Sequence, residues 1–479
     1  MVRPNPLLKL LATSALLCLS GCQTAASSNV IEDSRPATGP VAGRIHHLEG
    51  EGLVLRVGSN QVTLAPHETR FTVDPGRGPA SVDIARQPAG QMCVVDNLAG
   101  HGVDYTVSIY CESFVTRPVA VELNAARIEP RIDRIFAPIR VGDDARQIHG
   151  LIDTGSAGVV LNAFQVFPPS ILSRDGFHFP PGSRRISYNG IIVTDVVIEK
   201  KYGGRGDKAH SSKGNLGFAQ ITFGKDGQVV TGLVPVLFAY AAGNDKGYHP
   251  FAPTNSTANI IGINADVNAL KNPEDDGANG NKAPRTAVVC DERVVTDCGL
   301  SSPFRKLAFA TGIGQGFLLN RVSMSDCPLS QLEHCPLDRL LTVGLTDNMS
   351  SGFARVYARC RGGIIGNRGP LNVCSQIIGN ATISADGYQY HGSVMFDSGN
   401  PKTIINVPRG ASFDATLADN AILRFAIGPD TVYSSRVGDI GTDRIVINQD
   451  MNIRTCVGIA FFERHAMFMN YDNGMIGLR

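Results

Sequence analysis

The sequence predicts a mainly β protein: two related halves behind a smaller β module. Three observations carry this. Glycine is abundant, with 52 residues in a chain of 479, and Val-, Ile- and Thr-rich runs recur between turn residues, a composition that suits strands and tight turns. Short alternating runs fill the region before residue 113, such as Leu53-Val54-Leu55-Arg56-Val57 and Tyr105-Thr106-Val107-Ser108-Ile109-Tyr110. Finally, one pattern occurs twice. An apolar run leads into Asp153-Thr154-Gly155-Ser156 and a second apolar run follows; the same order recurs around Asp397-Ser398-Gly399-Asn400. Each stretch reads as a strand, a turn that glycine permits, and a return strand. Brought together, the two turns would pair two carboxylates able to share one proton.

Residues 1–22 read as an export signal. Arg3 and Lys9 supply positive charge, and residues 10–19 are apolar but too few to span a bilayer. Leu19-Ser20-Gly21-Cys22 resembles a bacterial lipobox, which implies that Cys22 becomes the lipidated first residue of the mature chain. An exported lipoprotein is therefore expected. Gln23 after the cysteine resembles outer-membrane sorting, on the periplasmic face or the cell surface. Residues 23–42, rich in Ala, Ser, Thr, Pro and Gly, read as a flexible tether.

Residues 43–113 are expected to form a small β-sandwich, since the stretch from Gln87 to Asn97, with cysteines at 93 and 111, resembles bacterial secreted β-sandwich modules. The rest divides into lobes at 114–285 and 286–479. The first carries Asp153, a candidate hairpin whose tip contains Tyr202-Gly203-Gly204-Arg205-Gly206, and Ile260-Ile261-Gly262. The second repeats the order with Asp397 and Cys456-Val457-Gly458. It closes on a short helix, a strand, an Asp472-Asn473-Gly474 turn and a last strand. Residues 272–285 read as a surface loop.

Composition narrows the function classes. A net charge of +1 offers no basic surface for nucleic acid. Neither Cys-x-x-Cys nor His-Glu-x-x-His occurs, so no zinc site and no cofactor is expected. Nine cysteines follow Cys22. Sequence neighbours suggest 93–111, 290–298, 327–335 and 360–374, with Cys456 single, although spacing alone does not decide connectivity. His149 and His391, one before each Asp loop, read as edge histidines.

The ordered set Asp-Thr-Gly-Ser, Tyr-Gly hairpin, Ile-Ile-Gly, Asp-Ser-Gly, Val-Gly and Phe468-x-x-Tyr471-Asp472-Asn473-Gly474-Met475-Ile476-Gly477-Leu478 resembles the pepsin-like aspartic peptidases over about residues 130–479. The resemblance implies a two-lobed fold and an endopeptidase. Asp153 and Asp397 would share a water and a proton; Thr154 and Ser398 would lock the loops together. Gly155 and Gly399 would donate N–H groups to the carboxylates, Ser156 would hydrogen-bond beside Asp153, and Tyr202 with Gly203 would close over a peptide or protein substrate. Tyr188, in Ile186-Ser187-Tyr188-Asn189-Gly190, is the rival flap tyrosine. The alternative is a surface lipoprotein that keeps the fold and binds peptides without cutting them. The chain departs from the family in three ways: Asn400-Pro401 follows the second Asp-Ser-Gly, tryptophan is absent, and the span from Asp397 to Gly458 is shorter than that from Asp153 to Gly262. Partners beyond substrate and membrane, and the oligomeric state, are not legible.

Overall fold

The computed structural model describes residues 39–76, 81–96, 106–129, 132–203, 209–244, 247–255, 258–268, 299–366, 369–385, 387–411, 413, 421–427, 430–436, 444–449 and 454–479. Outside them lie the expected export segment with Cys22, the expected tether up to residue 38, the expected hairpin tip at 204–208, the expected 272–285 loop, and Cys290 and Cys298; Val41 and Ala42, expected in the tether, instead open strand Val41–His46.

Alternation makes the N-terminal module. Strands Arg70–Val73, Val41–His46, Thr106–Val115 and Gln91–Asp96 form one sheet, and Asn60–Leu64, Leu53–Val57 and Val82–Arg86 form another. Their apolar positions, among them Ile45, Leu53, Leu55, Phe71 and Ile109, meet in one core. The Cys93–Cys111 disulfide joins directly opposed residues of two antiparallel strands within it. The module is docked on the main body. Strand Thr106–Val115 pairs with Ala308–Phe309. The Gln220 amide donates to the Cys111 carbonyl at 2.8 Å, and the Val230 N–H donates to Ser113 Oγ at 2.9 Å. His46, stacked on Tyr110, places Nδ1 2.8 Å from the Asp143 carboxylate.

The main body is mainly β and builds one four-strand arrangement twice. In the first half, Ile148–Asp153 runs parallel to Ile260–Ile263, while Ala157–Asn162 runs antiparallel to Ile260–Ile263 and parallel to Val234–Asn244. In the second, Tyr388–Phe396 runs parallel to Thr455–Val457, while Lys402–Asn406 runs antiparallel to Thr455–Val457 and parallel to Arg444–Asn448. Each Asp loop is thus the crossing between a strand and its return, with a third strand threaded between them. That threading explains the apolar-apolar-Gly elements. A side chain on Gly262 would meet the backbone of Ser156 and Ala157 at 2.8 Å, and one on Gly458 would strike the Lys402 and Asn400 carbonyls.

A six-stranded sheet joins the halves. Its order is Val119–Glu129, Asp338–Leu345, Gly314–Leu319, Met467–Asn470, Met475–Leu478 and Ala354–Tyr357. The last hairpin follows the helix Ala460–Arg464. Between its strands Tyr471, 1% exposed, donates its hydroxyl to the Ile263 carbonyl at 2.6 Å and meets Ser302 Oγ at 2.9 Å. The C-terminal end is thereby tied to the strand threading the first Asp loop. One apolar core runs through both halves, from Ile152 and Phe238 to Phe396 and Phe461.

Disulfides also join Cys327 to Cys335 and Cys360 to Cys374. Cys456 is a buried free thiol.

Candidate active site

The two Asp loops meet through their hydroxyl residues, and the bonding is reciprocal. The Thr154 N–H donates to Ser398 Oγ at 3.1 Å, and the Ser398 N–H donates to Thr154 Oγ1 at 3.0 Å. Each hydroxyl then donates onward to a carbonyl of the opposite half: Thr154 to Phe396 at 2.9 Å, Ser398 to Ile152 at 2.7 Å. Both residues are fully buried. Four hydrogen bonds therefore close where loss of either hydroxyl would strand buried backbone groups.

This lock sets the carboxyls side by side. A side chain on Gly155 would collide with the Asp397 carboxyl, and one on Gly399 would collide with that of Asp153. Each glycine thus gives the opposite aspartate its approach. Each also donates its N–H to the aspartate of its own loop, Gly155 to Asp153 Oδ1 at 2.7 Å and Gly399 to Asp397 Oδ1 at 2.8 Å.

The second oxygens are served differently. Ser156 Oγ donates to Asp153 Oδ2 at 2.6 Å. At the equivalent loop position the Asn400 side chain is spent elsewhere. Its carboxamide oxygen takes the Lys402 N–H at 3.1 Å, and its Nδ2 donates to Cys456 Sγ at 3.3 Å. The Cys456 thiol then donates to Asp397 Oδ2 at 3.4 Å. Burial and the Asp397 charge push the Cys456 thiol well above its ordinary pKa, so it stays protonated and able to donate. Burial first, then the Asp153 charge beside it, hold the Asp397 carboxyl well above the usual carboxylate range. The weak thiol donor and the Gly399 N–H only partly oppose that shift.

Above the first loop stands the hairpin of Ile191–Gly203 and Ala209–Ala219, with Tyr202 opposite His210 and Gly203 opposite Ala209 at its described end. The Asp153 charge acts on the Tyr202 phenol, which burial and that charge push well above its ordinary pKa. Tyr188 lies elsewhere. It precedes a two-residue turn, Asn189 and Gly190, both at positive φ, and its ring packs against Phe167. Tyr202 lies within range of the Asp153 charge. Burial lowers the His149 pKa, and His391 Nδ1 meets Thr382 Oγ1 at 3.2 Å.

Three groups near the pair were not anticipated from sequence. Cys456 is one. Lys200 is the second: 7% exposed, its ammonium donates to the Ala157 carbonyl and lies 5.2 Å from the Tyr202 ring centroid. Burial pushes its pKa down to about 8 against the opposing pull of Asp153 and Asp266. The third is Arg134. It lies on strand Ile132–Val141, which pairs antiparallel with Ile148–Asp153. Burial lowers its pKa, while the charges of Asp397 and Asp153 act against that. A signal for Lys200 was present: in an alternating strand it shares the parity of Tyr202, so one of Lys200 and Lys201 had to face inward. Arg134 carried no such signal, because its place depends on which strand pairs with Ile148–Asp153.

Among the described residues no cluster of His, Cys, Asp and Glu is arranged to hold a metal ion. Chemically, the arrangement pairs a carboxyl whose pKa is held well above the usual range, Asp397, with one that accepts from two donors, Asp153, and such a pair can act as acid and base.

No protein-family model matches the chain, and no curated protein does. Among solved structures the chain is similar to the aspartic proteinase from Irpex lacteus, at 15% identity and a TM-score of 0.41, over 76% of this chain and 96% of that one.

Proposed function

We propose that the chain is an aspartic endopeptidase. The observation that carries this reading is the reciprocal lock of Thr154 and Ser398, which holds the carboxyls of Asp153 and Asp397 together. In this reading Asp397 keeps the shared proton and acts as general acid. Asp153, with donors from Gly155 and Ser156 on its two oxygens, is the base partner that draws a proton from an attacking water. The water adds to the scissile carbonyl while Asp397 protonates the carbonyl oxygen, giving a neutral tetrahedral diol with no acyl-enzyme. Tyr202 and Gly203 would border the bound peptide.

The test is cleavage of a peptide library by the purified protein from acid to neutral pH, with and without pepstatin. Pepstatin-sensitive cleavage is expected, and Asp153→Asn or Asp397→Asn should each lower it by about 10²–10⁴-fold or more. Peptide binding without cleavage at any pH, unchanged in both variants, would reject the enzyme in favour of a binding lipoprotein.

Lipid anchoring belongs to the same proposal and has its own test: membrane association and palmitate labelling should both vanish in Cys22→Ser.

A further inference from the structure

We propose that Lys200 is a positioning residue of this site. It clamps the hairpin strand to the first Asp loop and holds the Tyr202 ring with its hydroxyl toward the carboxyl pair, where it can donate to a bound peptide. The clamp stands on geometry alone; what the hydroxyl donates to rests on the peptidase reading.

Strand Ile191–Gly203 puts Lys200 and Tyr202 on one face. Lys201, between them, points outward and is exposed. A lysine on the inward face has to desolvate its ammonium, a conformation that persists only when the charge finds partners. Beside the pull of the Asp153 and Asp266 charges, Lys200 makes two direct contacts. Its Nζ donates to the carbonyl of Ala157, the residue following Ser156, so the bond runs from the hairpin to the end of the Asp153 loop. The same ammonium lies 5.2 Å from the Tyr202 ring centroid, within reach of a cation–π contact. With no tryptophan anywhere in the chain, no indole can brace this tyrosine.

The Tyr202 hydroxyl completes the argument. It is buried and has no hydrogen-bond partner among the described residues. Buried phenols normally have one. Lys200 fixes the ring, not the hydroxyl, and so leaves the donor free for a ligand lying over Asp153.

The experiment compares hydrogen–deuterium exchange in wild type, Lys200→Met and Lys200→Arg. Methionine keeps the length of the side chain without its charge. We expect amides of 191–203 and 209–219 to exchange about tenfold faster or more in Lys200→Met, with the rest of the chain unchanged and Lys200→Arg near wild type. Unchanged hairpin exchange in a folded Lys200→Met protein would overturn the clamp and leave Lys200 a packing residue. If Lys200→Met does not fold, Lys200→Arg decides: wild-type exchange supports the clamp, and accelerated hairpin exchange rejects it. With a cleavable peptide, Lys200→Met and Tyr202→Phe should each lower kcat about tenfold with little change in KM, and the double variant should be no worse than either single one. Additive losses would mean that the two residues act separately. Absence of any wild-type cleavage would defeat the peptidase reading, whereas the exchange comparison would still decide the clamp.

Discussion

The second oxygens of Asp397 and Asp153 meet different donors. Ser156 offers Asp153 a hydroxyl at 2.6 Å, whereas Asp397 receives only the Cys456 thiol at 3.4 Å. A thiol is the weaker donor and stabilises a carboxylate less. The asymmetry predicts the sign of a pH effect. Asp397 is already raised, and the thiol holds it down slightly. Cys456→Ala removes that donor, so Asp397 should keep its proton to still higher pH. The alkaline limb of the cleavage profile should then move upward by less than about one pH unit. A kcat/KM profile of the two proteins checks this, and a limb that moves down or stays fixed would show that Cys456 does not tune the pair. From sequence, Asn400 looked like the place where the second loop would behave differently. The difference does begin there, but it reaches Asp397 through a cysteine 56 residues away from Asn400.

At the scale of elements, the Asp loops are stable because each is completed by the other. Thr154→Val keeps the shape and removes the hydroxyl. It leaves the Ser398 N–H without its acceptor and the Phe396 carbonyl without its donor, both buried. The expected cost is about 2–5 kcal/mol of stability, read as a lower urea midpoint at unchanged slope. Thr154→Ser, which retains the hydroxyl, should recover most of it. These elements were legible because their signals are local: an apolar run, an Asp-Thr-Gly turn and an apolar-apolar-Gly strand each fit within a dozen residues. The glycine of the third element was legible as a glycine but not as a threading point, since the backbone it must clear belongs to a loop far along the chain. Lys200 and Arg134 were missed for the same reason. A strand pattern states which residues share a face and leaves open what that face will meet.

For the whole molecule, the joining sheet draws its strands from between residues 119 and 478, and the sequence offered no sign of that order. Each of its strands reads as an ordinary β run, and their pairing is settled only by packing of the two halves. Thr154 and Ser398 are 244 residues apart. Contacts so distant in sequence form late, after the chain closure entropy has been overcome. On refolding from urea, secondary structure followed by far-UV circular dichroism should therefore return before cleavage activity. Simultaneous recovery would mean that the halves dock as they fold.

The reciprocal lock has a further consequence for the timing of danger. A peptidase whose acid and base sat in one half would be armed as soon as that half folded, beside the unfolded remainder of its own chain. In the peptidase reading neither half contains a working pair, and the bonds that create one, between Thr154 and Ser398, are the bonds that bring the halves together. In that reading the unfinished chain is both the substrate most exposed to attack and the form that cannot cut.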